Sequence, residues 1–71
     1  MNEDILRGRW KQVRGQIQEK WGELTDDDLD QIQGRRDQLI GKLQARYGYA
    51  RAEAESRVDE FFEDWEDVSY T

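Results

Sequence analysis

The sequence predicts a small all-α protein, and three observations support that prediction. Apolar residues recur at helical spacing along most of the 71 residues, which is the main sequence signal of amphipathic helices. No stretch alternates apolar and polar residues for long enough to indicate a strand. A fifteen-residue pattern occurs twice, at an offset of 26 residues, as expected when related helical units pack together. We therefore predict one domain over residues 1–71, with four helices arranged as two hairpins around a shared core.

The first predicted helix runs from about Glu3 to about Trp21. Its apolar residues lie three or four positions apart and form one stripe: Leu6, Trp10, Val13, Ile17 and Trp21. Such a stripe is typical of a helix that buries one face. Gly22 follows the last stripe residue, and a glycine with left-handed backbone commonly ends a helix. We therefore expect one continuous helix that ends at about Trp21, with Gly22 as a left-handed cap.

The second predicted helix is short and begins at a capping sequence. Thr25 can accept a hydrogen bond from the backbone three residues later, and Asp28 stands where a capping box needs an acidic partner. The acidic residues that follow Thr25 also favour the positive end of the helix dipole. Leu29 and Ile32 give this helix a small apolar face, and we expect it to end near Gly34.

The third and fourth predicted helices complete the core. The third carries Leu39, Leu43 and Tyr47 on one side, with Ile40 beside them, and we expect it to end at Gly48. The fourth begins near Ala50, and one face holds Ala54, Val58, Phe61 or Phe62, and Trp65. Acidic residues occupy most of its remaining surface. We expect the acidic C-terminal end, from about residue 66 to residue 71, to be frayed.

The internal repeat pairs residues 8–22 with residues 34–48. The identical pairs are Gly8 and Gly34, Arg9 and Arg35, Gln12 and Gln38, Gly15 and Gly41, Gln18 and Gln44, and Gly22 and Gly48. The repeat predicts that the first and third helices are related and that each is followed by a helix that packs on it. Gly15 and Gly41 fall within helices, where glycine is unfavourable. They indicate either a tolerated defect, a close backbone crossing, or a surface that another backbone approaches.

The composition excludes much catalytic chemistry. The chain has no Cys and no His, so it lacks thiol nucleophiles, imidazole bases and the common zinc ligands. Mean hydropathy is −1.17, which leans towards disorder, but the periodic aromatic residues favour a folded core. We predict no enzymatic activity, no catalytic residues and no cofactor. The acidic N-terminus does not resemble a signal peptide and no apolar run could span a membrane, so we expect a cytoplasmic protein.

Three acidic residues in the second helix bear a partial likeness to a calcium-binding loop. Asp26, Asp28 and Asp30 are spaced as calcium ligands are, with Asp37 at the twelfth position. The sixth position of such a loop requires glycine, whereas this chain has Gln31. Helix capping explains the same residues, so we predict no metal site.

Charge is distributed unevenly along the chain. Residues 1–52 carry a net charge of +1, whereas residues 53–71 carry −7. Arg7, Lys11 and Arg14 follow helical spacing beside Trp10, and a basic stripe with an aromatic residue can bind nucleic acid. The same stripe could instead face the acidic fourth helix or simply be solvated. Because the net charge of −6 repels phosphate at long range, nucleic acid is disfavoured and an unidentified protein is the expected partner.

Trp65 is the aromatic residue that we regard as a candidate anchor for a partner or a dimer, because it lies near the frayed end. Arg7, Lys11, Arg14 and Trp65 are therefore the predicted partner surface. The sequence leaves the oligomeric state open.

The motifs resemble those of the CsbD-like proteins. The residues that carry the resemblance are Gly8-x-Trp10-Lys11-Gln12-x-x-Gly15, Trp21-Gly22-x-Leu24-Thr25-Asp26-Asp27-Asp28, and Gly34-x-Arg36-Asp37-Gln38-Leu39-x-Gly41 through Tyr47-Gly48-Tyr49. The resemblance covers about residues 2–60 and does not extend to the acid-rich end. It implies a small bacterial fold of two hairpins packed crosswise and induction under general stress. It supplies no active site.

Two functional hypotheses follow. The first is a non-enzymatic stress-response protein that acts as a small helical interaction module. The second is a hydrophilic protectant that acts by bulk hydration under osmotic or desiccation stress and has no defined binding site.

Overall fold

The computed structural model contains five α-helices and, over residues 2–69, no β-strand. The helices are α1 (Asn2–Gly8), α2 (Trp10–Lys20), α3 (Asp26–Ile32), α4 (Arg36–Tyr47) and α5 (Arg51–Ser69). The structure describes the backbone of residues 2–69 and the side chains of Asp4 and of residues 6–64. The all-α prediction is confirmed. The predicted number of four helices is wrong.

The fifth helix arises because the first predicted helix is interrupted at Arg9. The backbone of Arg9 has φ −125° and ψ 36°, outside the helical region. Gly8 precedes it, and glycine loses more conformational freedom in a helix than any other residue. The carbonyl of Arg9 accepts hydrogen bonds from the N–H groups of Gln12 and Val13, at 3.0 and 2.9 Å, and so opens α2. The break lets α1 pack against both α2 and α4.

The start of α3 confirms the predicted capping box. The Thr25 hydroxyl accepts from the Asp28 N–H, and the Asp28 carboxylate accepts from the Thr25 N–H, both at 3.1 Å. The helix ends at Ile32, close to the predicted end. Gln33 and Gly34 follow with left-handed φ values of 48° and 81°, and this turn leads directly into α4.

The C-terminal ends of α2 and α4 differ. Gly48 ends α4 in the left-handed conformation, with φ 74°, and its N–H donates to the Gln44 carbonyl at 2.9 Å. That prediction is confirmed. The corresponding prediction for Gly22 is wrong, because α2 is closed by Trp21, which has φ −118° and whose N–H donates to the Ile17 carbonyl at 2.8 Å.

The central helix of the fold is α4, because α1, α3 and α5 all pack on it. The core contains residues from all five helices and from the loop after α2: Leu6, Val13, Ile17, Trp21, Leu24, Leu29, Ile32, Leu39, Ile40, Leu43, Ala54, Val58, Phe61 and Phe62. Trp10 and Tyr47, predicted as stripe residues, are half-buried and pack against this core. The crosswise arrangement of two hairpins stays a prediction.

The internal repeat corresponds to two helices that begin at equivalent positions. Trp10 opens α2 and Arg36 opens α4, 26 residues apart. Gly15 and Gly41 lie within these helices, exposed, and a Cβ atom at either position would meet no other atom within 4 Å. Neither glycine therefore marks a close backbone crossing among the residues that the structure describes.

Candidate interaction surface

Three basic side chains lie around Trp10, and a fourth lies beside one of them. Arg7, Arg9 and Lys11 line an open depression with a volume of about 500 Å³, together with half-buried Trp10. A second depression, which shares Arg7, is lined by Arg7, Arg35, Asp37 and Gln38. All four basic residues are exposed. We call Arg7, Arg9, Lys11 and Arg35 the basic patch.

The basic patch forms because two Gly-Arg turns of the repeat meet. Gly8 ends α1 and Arg9 separates it from α2, whereas residues 33–35, which include Gly34 and Arg35, separate α3 from α4. The turn before α4 touches the end of α1 at Gly34, where an added Cβ atom would lie 3.0 Å from the Cα atom of Arg7. A residue with a side chain would also resist the left-handed backbone of Gly34. Glycine at this position therefore allows Arg35 to lie beside Arg7.

Three of the four patch residues differ from most other basic residues in their ion pairing. Most other basic residues pair within the molecule: Arg14 with Asp30, Arg36 with Asp59, Lys42 and Arg46 with Asp28, Arg51 with Glu55, and Arg57 with Glu53. Lys20 lies 5.7 Å above the centre of the Trp21 ring. Arg7, Lys11 and Arg35, in contrast, form no ion pair with the side chains that the structure describes. Within the described part of the chain, no carboxylate therefore neutralises their charge through an ion pair.

The predicted partner residues have different positions in the fold. Arg7 and Lys11 lie together in the patch, although the break at Arg9 places them on different helices. Arg14 turns to α3, where its guanidinium lies 2.7 Å from the Asp30 carboxylate and 3.9 Å from that of Asp26. The side chain of Trp65 lies outside the described residues.

Arg9 and Arg35 are patch residues that the sequence interpretation missed. The repeat contained the necessary signal, because Arg9 and Arg35 are equivalent positions that each follow a glycine. A turn at Gly34 therefore also indicated a turn at Gly8. What the repeat could not indicate is that the two turns lie side by side, since this depends on how α1 packs on α4.

Asp28 is the most conspicuous titratable group outside the patch, and its role is structural. It is 3% exposed. Arg46 donates to both carboxylate oxygens, at 2.8 and 3.1 Å, and the Lys42 ammonium lies 3.6 Å away. These hydrogen bonds, with the bond from the Thr25 N–H, hold the pKa of Asp28 well below its usual range despite the opposing effect of burial. A carboxylate that stays ionised does not serve as a general acid.

The aromatic residues of the motifs that carried the family resemblance stabilise the fold through contacts between elements. Trp21 is buried against Phe61, with ring centres 5.4 Å apart. The Tyr47 hydroxyl accepts from the Glu23 N–H at 3.1 Å, which ties the end of α4 to the loop after α2. Tyr47 also stacks on Tyr49 at 5.3 Å. These contacts show that the aromatic residues of the motifs stabilise the packing of the helices.

The residues that the structure describes show neither a metal centre nor a membrane span. Among them, no three acidic side chains are grouped closely enough to hold a metal ion. Asp28 of the calcium-like sequence serves as the cap of α3. Within the same residues, no helix combines the length and apolar character needed to cross a bilayer.

Comparison with known proteins defines the family. Residues 4–56 match the CsbD-like family. The chain belongs to the CsbD-like family. UPF0337 protein YjbJ of Escherichia coli strain K12 is 53% identical over 66 residues, which cover 93% of this chain and 90% of that protein. UPF0337 protein PA4738 of Pseudomonas aeruginosa is 51% identical over 61 residues, which cover 86% of this chain and 94% of that protein. The family resemblance of the sequence is therefore confirmed.

Proposed function

We propose that this CsbD-like chain is a non-enzymatic general stress-response protein that acts in the cytoplasm as a small helical interaction module. The basic patch is the surface through which it contacts other proteins. One observation carries the proposal: Arg7, Lys11 and Arg35 form no ion pair with described side chains, while most other basic residues are paired within the molecule. A half-buried tryptophan at the centre of such a patch is a typical binding anchor.

The non-enzymatic part of the proposal is supported by how the polar residues are used. Among the described side chains, the one buried charged residue is Asp28, which is held ionised by Arg46 and caps a helix. The depression around Trp10 is open, so it would not desolvate an acid–base pair as an active site does.

Crosslinking and affinity capture from salt-stressed cells test the proposal. Lys11→Glu and Lys20→Glu make a matched pair, because both residues are exposed, lie on α2 and undergo the same change of charge. We expect Lys11→Glu to lose partners that the wild type captures and Lys20→Glu to keep them. Equal capture by both variants would contradict a role for the patch.

The alternative function is a hydrophilic protectant without a binding site. Its support is the mean hydropathy of −1.17 and the net charge of −6. Bulk hydration depends on composition, which a single substitution barely changes. Survival of osmotic stress by cells that carry Lys11→Glu separates the two functions: unimpaired survival favours the protectant, and loss of protection favours the interaction module.

A further inference from the structure

We propose that the basic patch binds the exposed acidic side of α5 in a second copy of this chain, at Glu60 and Asp64, so that copies associate head to tail. The inference rests on the proposed function in one respect, since both take the patch as a binding surface. It goes further by naming the chemistry of the occupant, which is a helix with carboxylates one turn apart.

The interaction between α2 and α3 shows how such an occupant would be held. Arg14 lies 2.7 Å from Asp30 and 3.9 Å from Asp26. These two aspartates are four residues apart on α3, so one guanidinium contacts two carboxylates on one helix face. Arginine suits this role because its planar group donates several hydrogen bonds in a fixed geometry. The patch offers two such guanidinium groups, from Arg7 and Arg35, as well as the Lys11 ammonium.

The C-terminal half of α5 offers the same carboxylate spacing. Glu60 and Asp64 are four residues apart, and both are exposed. Neither forms an ion pair with the described side chains, and the same holds for Glu63. The acidic residues earlier in α5 are already engaged: Glu53 with Arg57, Glu55 with Arg51, and Asp59 with Arg36. Basic and acidic side chains that form no ion pair among the described residues therefore occur on the same molecule, at different elements.

A second copy fits the patch better than nucleic acid does. The whole chain has a net charge of −6, and residues 53–71 alone carry −7. This negative charge opposes the approach of a densely charged phosphate backbone. A second copy presents only a few carboxylates at the contact. The repulsion between two net negative molecules acts over longer distances and is largely screened beyond about 10 Å at about 0.1 M salt. Contacts at 3–4 Å would persist at that ionic strength.

The expected association is weak and depends on salt. Stable interfaces bury about 1,600 Å² in total, and a patch of four side chains with one half-buried tryptophan provides less than that. Exposed ion pairs are individually weak. The contact joins different surfaces of the two copies. Further copies can therefore be added in the same way, unless the rotation from one copy to the next closes the assembly into a ring. We therefore expect a concentration-dependent equilibrium among small oligomers at about 0.1 M salt and monomers at about 1 M, where the screening length is about 3 Å.

Charge reversal tests the inference by sedimentation velocity of the full chain. Arg7→Glu/Lys11→Glu reverses the patch, and Glu60→Lys/Asp64→Lys reverses the acidic surface. We expect each variant alone to associate about tenfold more weakly than the wild type or not at all, where tenfold corresponds to about 1.4 kcal/mol. An equimolar mixture of the two variants should associate, because each reversed surface then meets a complementary one. Lys20→Glu, which changes charge outside the patch, should associate as the wild type does.

Three results would overturn the inference. One is a monomeric wild type at every concentration measured at about 0.1 M salt. Another is a mixture that stays monomeric although circular dichroism shows both variants folded, since complementarity would then not be the cause. A third is a wild type that binds a short DNA duplex through Lys11 but does not bind itself, which would assign the patch to nucleic acid. If the wild type does not self-associate but its capture of partners still depends on Lys11, this inference fails and the proposed function stands.

Discussion

Replacing Asp28 with asparagine removes the ion pair between Asp28 of α3 and Arg46 of α4. Asparagine keeps the shape of the side chain and an oxygen that can accept from the Thr25 N–H, so the cap of α3 can survive. It loses the negative charge that receives two hydrogen bonds from Arg46, at 2.8 and 3.1 Å. The substitution therefore isolates the ion pair from the cap.

The expected loss in the free energy of unfolding is about 2 kcal/mol. A hydrogen bond to a charged group contributes about 1.5–3 kcal/mol, and breaking a fully buried pair costs about 3–5 kcal/mol. The lower range applies here, because the Arg46 side chain is 46% exposed and can be hydrated once its partner is gone. For a domain of this length, whose total stability is about 4–10 kcal/mol, this is a large fraction.

Urea denaturation followed by circular dichroism measures the effect. With a denaturant slope of about 1 kcal/mol per molar urea, the midpoint should fall by about 2 M. Asp27→Asn is the matched control, because Asp27 occupies the same first turn of α3 but is exposed. Arg46→Gln should lower stability in the same direction, and the loss in the Asp28→Asn/Arg46→Gln double variant should be smaller than the sum of the two. Midpoints for Asp28→Asn and Asp27→Asn that agree within error would refute the reasoning.

The remaining predictions concern pH and glycine. Because the pKa of Asp28 in the folded protein is lower than its value of about 3.9 in an unfolded chain, its stabilisation is complete above about pH 5 and is lost as pH falls below the unfolded value; the difference in unfolding free energy between wild type and Asp28→Asn should therefore shrink in acid. Gly34→Ala should lower stability by more than Gly48→Ala does in thermal melts. Both glycines have left-handed backbones, which cost alanine about 1–2 kcal/mol. Only at Gly34 does the new Cβ atom also meet backbone, at 3.0 Å. Gly15→Ala should raise stability by about 1 kcal/mol, since its Cβ atom enters open space, and unchanged partner capture by that variant would exclude Gly15 from the binding surface.

The local structure of this chain could be predicted from sequence where short-range physics decides it. The capping box of Thr25 and Asp28 and the left-handed end at Gly48 depend on a few neighbouring residues, and both are confirmed. The predicted end near Trp21 is confirmed, but the left-handed cap at Gly22 was wrong because Trp21 already closes α2. Leu24 was missed because it lies in a loop, where helical periodicity does not apply, although the core buries it completely.

Tertiary placement was harder to predict because it depends on contacts between distant residues. Apolar spacing continues from Leu6 to Trp10 across the break at Arg9, so periodicity alone indicates one helix. The pairing of Asp28 with Arg46 joins residues 18 positions apart, and no local pattern specifies it. The same is true of the Arg14 contact with Asp30, which engages a residue of the predicted partner surface in an ion pair.

The basic patch follows from the repeat once the packing of α1 is known. A repeat of helices places equivalent turns at equivalent positions, and here each turn is a glycine followed by an arginine. Burial of Leu6 brings α1 onto α4, and Gly34 permits the approach of the Arg7 backbone. The packing that completes the core therefore also collects basic side chains at one end. Gly34→Ala should consequently weaken partner capture as well as stability, whereas Gly48→Ala, which lies away from the patch, should affect stability alone.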